Sequence, residues 1–243
     1  MKEEKGIQSL ERGMALLKIL SEKGPQTAST LARGLGIHQS SASRLLLSLQ
    51  KAGFVRKPAY HSFALDYGVL SFAGIAMAHF PIIGASAKIS ALLHNETGCG
   101  AAVAILQDDR LLYLSRIASS SDGRPILVDD SSFPLHRSAL GLLLAHGKGK
   151  KEFCRLMKNS AESLGEPVSE LGLYRMVTDS LSKHGILFLR DWQGHKFNAV
   201  RLFEADGRQG ALAIFSGQKD QPLGKLKACL EKGSLEIESM LRK

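Results

Sequence analysis

A short run of polar side chains between positions 39 and 44 has the types and spacing that could recognise a nucleic acid. The run carries hydroxyl, amide and guanidinium groups where a solvent-facing helix more often carries glutamate and lysine; its members are Gln39, Ser40, Ser41, Ser43 and Arg44. Side chains of this size fit the major groove of DNA, and an arginine can bond the edge of a guanine through two N–H groups. We interpret these five as candidate DNA-binding residues, with an ordinary amphipathic helix as the alternative.

Three successive helices are predicted to position this run. Their apolar residues recur at intervals of three and four, as on one face of a helix: Leu10, Met14, Leu17 and Leu20 in the first, Ala28, Leu31, Ala32 and Leu35 in the second, and Ala42, Leu45, Leu46 and Leu49 in the third. Ser9 and Thr27 are placed as N-caps, and Gly36 and Gly53 are placed to end the second and third helices. A short helix, a tight turn and a second helix predict a helix-turn-helix.

The segment that follows is predicted to form a two-stranded hairpin, the wing. Residues 54–65 read FVRKPAYHSFAL, in which apolar and polar residues alternate on either side of a turn expected at Pro58. Four side chains near the expected tip could contact phosphates or the minor groove of DNA: Arg56, Lys57, Tyr60 and His61. The alternative is a surface hairpin whose cations are only solvated.

The distribution of charge agrees with a nucleic-acid partner for the N-terminal part of the chain. The formal net charge of the 243-residue chain is +9, and residues 1–65 contain ten lysines and arginines against four glutamates. Cations that meet phosphates release condensed counter-ions, which favours binding to DNA. Solvated surfaces are also often basic, so the charge supports the motif and does not replace it.

The same residues carry a resemblance to a known family. The segments SLERGMALLKIL (9–20) and LARGLGIHQSSASRLLLSLQKAGFV (31–55) resemble the helix-turn-helix of the isocitrate-lyase-regulator (IclR) family of bacterial transcription factors, with Arg44 at the position of the family's recognition-helix arginine. The similarity continues in LLHNETGCGAAVAILQDDRLLYLSRI (92–117) and FPLHRSALGLLLA (133–145). It therefore extends over nearly the whole chain.

The resemblance implies a two-domain regulator that binds a palindromic operator in double-stranded DNA as a homodimer or homotetramer. Its expected parts are a winged helix-turn-helix domain at residues 1–66, a linker helix at 67–80 and a GAF-like domain at 81–243. The last of these is expected to bind a small organic effector that bears a carboxylate, and to mediate oligomerisation. No cofactor and no metal is implied.

From its residues, the C-terminal part is predicted to be an α+β domain with an antiparallel sheet covered on one face. Strands are expected at CGAAVAIL and LLYLSRI, joined by a turn at 107–110, and in a second hairpin that turns at residues 205–207. Helices are expected at 82–95, from Ser138, at 167–183 and from Leu223.

The helix beginning near Ser138 is the expected place for an anion, because the free N–H groups and the dipole at a helix N-terminus favour negative charge. The effector-binding candidates are the backbone of this turn and four further side chains: Ser138, Ala139, Leu140 and Gly141, with His136, Trp192, Asn198 and Ser216. The alternatives are that Ser138 is only an N-cap, that His136 is a satisfied loop histidine and that Trp192 is a core residue.

The expected pocket departs from the family pattern. Arg137 replaces a small residue, Leu142 replaces a lysine, and residues 189–200 (LRDWQGHKFNAV) replace an acidic stretch. The pocket is therefore expected to be remodelled, with an effector that differs from those usual in the family.

Two other classes of protein are the alternatives. One is a DNA-binding repressor whose C-terminal domain only oligomerises and binds no effector. The other is an enzyme with an attached DNA-binding domain, but the sequence contains no G-x-S-x-G, P-loop, dinucleotide-binding or H-E-x-x-H motif. Ser138 and His136 lie two residues apart, a spacing at which they do not usually serve each other as nucleophile and base.

The compartment is inferred from the N-terminus and the cysteines. The charged N-terminus lacks the apolar run of a signal peptide, and no stretch has the uninterrupted apolar length that a membrane span needs, so a cytoplasmic location is expected. Cys99, Cys154 and Cys229 are odd in number and far apart, which favours buried thiols over a disulfide framework or a zinc site.

Overall fold

The structure is a computed structural model that describes residues 6–119, 123–129, 133–205, 207–216 and 220–242. The chain divides into two units, the first ending at His79 and the second beginning at Phe80. An N-terminal helix-turn-helix unit and a C-terminal α/β unit with an antiparallel sheet confirm the predicted fold class.

The first unit contains helices and a small antiparallel sheet. Its elements are α1 Gln8–Lys23, β1 Gln26–Thr27, α2 Ala28–Gly34, α3 Gln39–Lys51, β2 Val55–Ala59, β3 Ser62–Leu65 and α4 Gly68–His79. The strand order is β1-β3-β2, so β2 and β3 form the predicted hairpin. Strand β1 was not predicted, because two residues are too short a segment to show alternation.

The buried face of α1 differs from the prediction. The helix buries Gly13, Leu16 and Leu20, whereas Leu10 and Met14 are 62% and 60% exposed. Apolar residues lie on several sides of this helix, so two different stripes satisfy the helical spacing. Only packing against the other helices decides between them.

Caps and turns of the helix-turn-helix follow the sequence in most places. The Thr27 hydroxyl accepts a hydrogen bond from the Thr30 N–H at 3.2 Å, which confirms the predicted cap of α2. Gly36 and Gly53 have φ values of 61° and 79°, the left-handed conformation that glycine adopts without strain. Ser9 was wrongly predicted as an N-cap, because it lies inside α1, whose first turn has no side-chain cap.

The wing turns two residues later than predicted. Pro58 lies within β2 and not at the turn, which is formed by Tyr60 and His61. A proline is tolerated there because β2 is the edge strand of its sheet, and the pairing with β3 is irregular between Arg56 and Ala59.

The second unit is built on a six-stranded antiparallel sheet with the strand order β6-β5-β4-β9-β8-β7. Its elements are α5 Pro81–Thr97, β4 Gly100–Gln107, β5 Arg110–Ile117, β6 Ile126–Asp129, α6 Ala139–His146, α7 Lys150–Glu162, α8 Glu170–His184, β7 Leu187–Trp192, β8 His195–Ala205, β9 Arg208–Ser216 and α9 Leu223–Leu241. A single 3-10 turn, Leu135–Arg137, precedes α6.

The sheet is covered on both faces, not on one face as predicted. Along β4, Ala102 and Ala104 belong to the core shared with α6, α7 and α8, whereas Ala101 and Val103 belong to the core shared with α5 and α9. A strand buried on both faces reads as a continuous apolar run, and that is the pattern of its sequence, GAAVAIL.

The remaining elements of this unit were predicted in part. Both predicted hairpins form, β4 with β5 and β8 with β9, although Asp206 of the second turn lies outside the described residues. Helix α8 begins at Glu170, three residues beyond the predicted Pro167, and Pro81 occupies the first turn of α5. Helix α7 and strands β6 and β7 were not predicted.

Helix α4 is the most exposed apolar element among the described residues. It has no buried residue, and its large apolar side chains face solvent: Leu70, Phe72, Ile75 and Met77. In the described part of the chain, no single helix has the length and apolar character to cross a bilayer; α4 and α5 meet that criterion only when taken together, by length and composition.

A close backbone contact fixes the start of α4 and gives a stability prediction. A methyl group on Gly68 would lie 2.3 Å from the carbonyl oxygen of Gly53, which already accepts the Gly68 N–H at 3.1 Å. We expect Gly68→Ala to lower the free energy of unfolding by about 1 to 3 kcal/mol, because the two backbone segments must move apart.

Gly74 provides the matched control, because it lies on the same helix with open space around its Cα. Gly74→Ala should leave stability unchanged or raise it by up to about 1 kcal/mol through helix propensity. Urea unfolding followed by circular dichroism measures both variants. Equal effects of the two substitutions would contradict the role of the contact.

Candidate functional site

Two separate places in the molecule hold the candidate functional residues, and the first is the surface of α3. Gln39, Ser40 and Arg44 are exposed, and Ser41 and Ser43 are half-buried. The opposite face of α3 holds the helix in place through the buried residues Ala42 and Leu46. Gln39, Ser40 and Arg44 therefore lie on the outward side of the second helix of the motif, and Ser41 and Ser43 lie at the borders of that side.

His38, which the sequence analysis did not single out, caps this helix. Its Nδ1 accepts the Ser40 N–H at 3.3 Å and lies 2.7 Å from the Ser40 hydroxyl. The capping bond fixes the first turn of α3 and holds the Ser40 side chain against the histidine. A histidine is a rare N-cap, so no sequence rule pointed to it.

The wing presents its four predicted residues to solvent, but not all at its tip. Tyr60 and His61 form the turn with their rings 4.0 Å apart, and Tyr60 is 87% exposed. Arg56 and Lys57 lie along β2, with the Lys57 ammonium 4.9 Å from the centre of the Phe63 ring. The described hairpin thus offers cations along one strand and aromatic rings at its end.

The second place is a cavity in the second unit, between the sheet and the N-terminus of α6. Aromatic rings, small apolar residues and a few polar groups line it: Ala102, Tyr113, Arg116, Phe133, Arg137, Ser138, Ala139, Leu140, Trp192, His195, Asn198, Ala213 and Phe215. Mostly apolar walls with a few polar groups are characteristic of small-molecule sites. We call it the sensor cavity.

Arg116 supplies the positive charge of the sensor cavity. Its guanidinium lies 5.5 Å from the centre of the Tyr113 ring, and no carboxylate among the described residues forms an ion pair with it. Burial, together with the charge of Arg116, lowers the pKa of His195, so the imidazole is neutral near neutral pH. A half-buried cation with no counter-ion among the residues that the structure describes favours an anionic ligand.

The N-terminus of α6 contributes fewer free donors than predicted. The Ser138 hydroxyl accepts the Gly141 N–H at 3.1 Å, and the Ser138 N–H is bonded to the carbonyls of Pro134 and Leu135. Two of the four predicted backbone donors are therefore already engaged. The N–H groups of Ala139 and Leu140 remain, with no partner among the described residues.

A polar cluster next to the sensor cavity holds the turn before α6. The Glu166 carboxylate contacts the Arg137 guanidinium and accepts from His136 Nε2 at 3.0 Å, while His136 Nδ1 lies 2.9 Å from the Ser160 hydroxyl. The hydrogen bond from His136 and then that from Arg137 lower the pKa of Glu166, against the opposing effect of partial burial. Trp192 Nε1–H donates to the Arg137 carbonyl at 3.0 Å.

The predicted effector-binding residues come together only in part. Five of the predicted residues line the sensor cavity: Ser138, Ala139, Leu140, Trp192 and Asn198. His136 is buried in the polar cluster, Gly141 packs against Leu135, and Ser216 is buried at the end of β9, so these three do not line it. Arg116 and Phe215 also line the cavity and were not predicted, because their strands carry no motif.

Comparison with known proteins gives a family match for the N-terminal part of the chain and more distant relatives for most of its length. The model of the IclR helix-turn-helix domain matches residues 9–59. The glycerol operon regulatory protein of Streptomyces griseus is 26% identical over 194 residues, which cover 78% of this chain and 76% of that protein. The HTH-type transcriptional repressor AllR of Escherichia coli is 26% identical over 182 residues, which cover 72% of this chain and 66% of the repressor.

Residues 9–59 are thus an IclR-type helix-turn-helix domain. The chain as a whole has the fold of two solved IclR structures at low identity. A putative IclR regulator from Silicibacter matches with a TM-score of 0.78 at 20% identity over 96% of both chains. An IclR homolog from Microbacterium hydrocarbonoxydans, complexed with 4-hydroxybenzoate, matches with a TM-score of 0.73 at 16% identity, covering 97% of this chain and 99% of that one. The chain is a DNA-binding transcriptional regulator and not an enzyme.

Arg44 gives the first test of the predicted DNA-binding surface on α3. We expect Arg44→Ala to weaken binding to the specific operator by about 1 to 3 kcal/mol, because a bidentate contact to a base is lost. Its side chain is exposed on α3, so folding should be unaffected. Gel-shift titration on an operator selected from a random DNA pool measures the loss.

Arg175→Ala is the control for net charge. It removes the same charge from an exposed position on α8, in the other unit. We expect operator affinity to be nearly unchanged. An Arg44→Ala variant that binds the operator as well as this control would argue against base recognition by Arg44.

Proposed function

We propose that this regulator binds its operator through α3 and the wing, and that a small carboxylate-bearing effector in the sensor cavity modulates that binding. The observation that carries the effector proposal is Arg116, a half-buried cation without an ion-pair partner among the described residues, in a cavity walled by aromatic rings. The parts of the proposal correspond to a winged helix-turn-helix DNA-binding domain at residues 1–66, a linker helix at 67–80 and a GAF-like effector-binding and oligomerisation domain at 81–243.

The roles of the DNA-binding residues follow from where they lie. The outward residues of α3 are assigned to base edges in the major groove, and the wing residues to phosphates or the minor groove. The base-reading group is Gln39, Ser41, Ser43 and Arg44, with Ser40 engaged by the His38 cap; the wing group is Arg56, Lys57, Tyr60 and His61. The assignment is supported by the exposure of Gln39, Arg44 and the wing residues on one unit, with Ser41 and Ser43 half-buried beside them.

The effector is assigned a carboxylate because of the donors that converge on the sensor cavity. Arg116 offers a guanidinium, and Ala139 and Leu140 offer free N–H groups at a helix N-terminus, where partial positive charge accumulates. The aromatic residues Tyr113, Trp192 and Phe215 also line the cavity. These walls suit a compact, unsaturated or aromatic body attached to the acid group.

A neighbouring structure supports the same class of ligand. The Microbacterium hydrocarbonoxydans homolog is complexed with 4-hydroxybenzoate, an aromatic acid. At 16% identity that likeness concerns the fold, so the ligand of this chain rests on its own cavity. The segments that depart from the family pattern, at Arg137 and at residues 189–200, contribute four residues to the lining of the sensor cavity: Arg137, Trp192, His195 and Asn198.

Oligomerisation as a homodimer or homotetramer is proposed from the surface of α4. Leu70 and Ile75 are each 62% exposed, on a helix with no buried residue. A contiguous exposed apolar surface of this kind marks an interface in soluble proteins. A second copy of the same chain is the occupant that a palindromic operator requires, because the symmetry of the site mirrors that of the protein.

The effector proposal is tested at Arg116. We expect Arg116→Gln to weaken binding of a carboxylate probe such as 4-hydroxybenzoate at least about tenfold, which corresponds to one charge-assisted hydrogen bond. In calorimetry, Arg175→Gln is the control, because it removes an equal charge away from the sensor cavity. A wild-type protein that binds no carboxylate, and whose operator affinity no carboxylate changes, would instead support effector-independent repression.

The oligomer proposal is tested on α4. We expect the double variant Leu70→Ser, Ile75→Ser to shift the protein toward a smaller species in sedimentation velocity, because the apolar surface that drives association is lost. Leu235→Ser, at an exposed leucine of α9, is the matched control. An unchanged sedimentation coefficient for the α4 variant would place the interface elsewhere.

A further inference from the structure

Arg137 lies at the border of two cavities. Its ion pair with Glu166 therefore affects the charge that a ligand meets in the sensor cavity. Arg137 lines the sensor cavity. It also lines a second, more open cleft, together with His136, Glu166, Trp192 and Gln193. Glu166 lines only the cleft, so its carboxylate approaches Arg137 from outside the sensor cavity.

The hydrogen bonds around Glu166 fix its charge and its place. The Ser160 hydroxyl accepts the His136 backbone N–H at 3.4 Å, which leaves its own hydrogen for His136 Nδ1 at 2.9 Å. His136 Nε2 then carries the hydrogen and donates it to the Glu166 carboxylate. His136 Nε2–H and the Arg137 guanidinium thereby both donate to an ionised Glu166.

The sensor cavity is therefore lined by two arginines, and among the described residues only one of them, Arg137, is paired with a carboxylate. Arg116 has no carboxylate partner among the described residues, whereas the charge of Arg137 is compensated by Glu166. His195 is neutral, because burial and the charge of Arg116 lower its pKa. The charge available to a ligand is thus close to that of one arginine.

We propose that Glu166 is a specificity-determining residue that restricts the sensor cavity to monocarboxylates. This inference rests on the proposed effector function. A ligand with a second carboxylate would place that group near the Arg137 guanidinium, which is already paired with Glu166. The two neighbouring carboxylates would then repel each other. A ligand with one carboxylate pairs with Arg116 and places its apolar remainder against the aromatic walls.

Removing the charge of Glu166 should therefore change the ratio of the affinities for dicarboxylates and monocarboxylates, and not merely the strength of binding. Glu166→Gln keeps an amide oxygen that can accept from His136 and Arg137, but it frees the charge of Arg137. We expect the affinity for terephthalate, a dicarboxylate, to rise at least about tenfold, and that for benzoate, its monocarboxylate counterpart, to change by less than about threefold.

Calorimetric titration of the full-length protein with benzoate and terephthalate at fixed ionic strength measures both affinities. Glu162→Gln is the matched control, because Glu162 lies four residues away, is exposed and pairs with Lys158 at 3.7 Å. It should change neither affinity. The double variant Glu166→Gln, Arg137→Gln should return the ratio of the two affinities to its wild-type value.

The outcomes separate this inference from the proposed function. If wild type binds benzoate and Glu166→Gln leaves the ratio unchanged, or if Glu162→Gln shifts it equally, the role of Glu166 is overturned while the effector site stands. If no variant binds either acid, the effector function and this inference fail together. Should Glu166→Gln not remain folded, Arg137→Gln decides: it must weaken terephthalate more than benzoate, and an equal or opposite effect overturns the inference.

Discussion

Burial of the central sheet on both faces is the constraint on which the second unit depends. Strands β4 and β9 carry small apolar residues at alternate positions, among them Ala102, Ala104, Ala211 and Ala213, which leave room for the helices packed above them. Such a sheet cannot shift a strand by one residue without exchanging the two cores. It therefore gives the loops and helix ends around it a fixed frame.

The sensor cavity is positioned by that frame. Its floor comes from Ala102 and Ala213 on neighbouring strands, and its polar groups come from segments that the frame brings together, the end of β5, the start of α6 and the β7–β8 hairpin. Binding residues on turns that a rigid sheet holds in place are a common arrangement in ligand-binding domains. Here the turn before α6 is further tied down by Glu166 and Trp192.

The sequence predicted what local pattern determines and missed what tertiary packing determines. The helix-turn-helix could be predicted because spacing, caps and turn glycines all agree in that region, as at Thr27 and Gly36. The buried face of α1 could not be predicted, because this helix carries apolar residues on several sides. In the cavity, Ser138 was found through a helix start, whereas Arg116 was missed because a strand arginine shows its partners only after the strands have paired.

The contact between Gly53 and Gly68 connects the end of α3 to the start of α4. Gly53 ends the turn after α3 and Gly68 begins α4; a second bond joins Asp66 N–H to the Phe54 carbonyl, and the rings of Phe54 and Phe72 lie 5.3 Å apart. These contacts couple α3, the helix proposed to contact bases, to α4, the helix with the exposed apolar side chains. If two copies meet along α4, the angle at which they cross sets how far apart their α3 helices stand, and so the number of base pairs between the two half-sites.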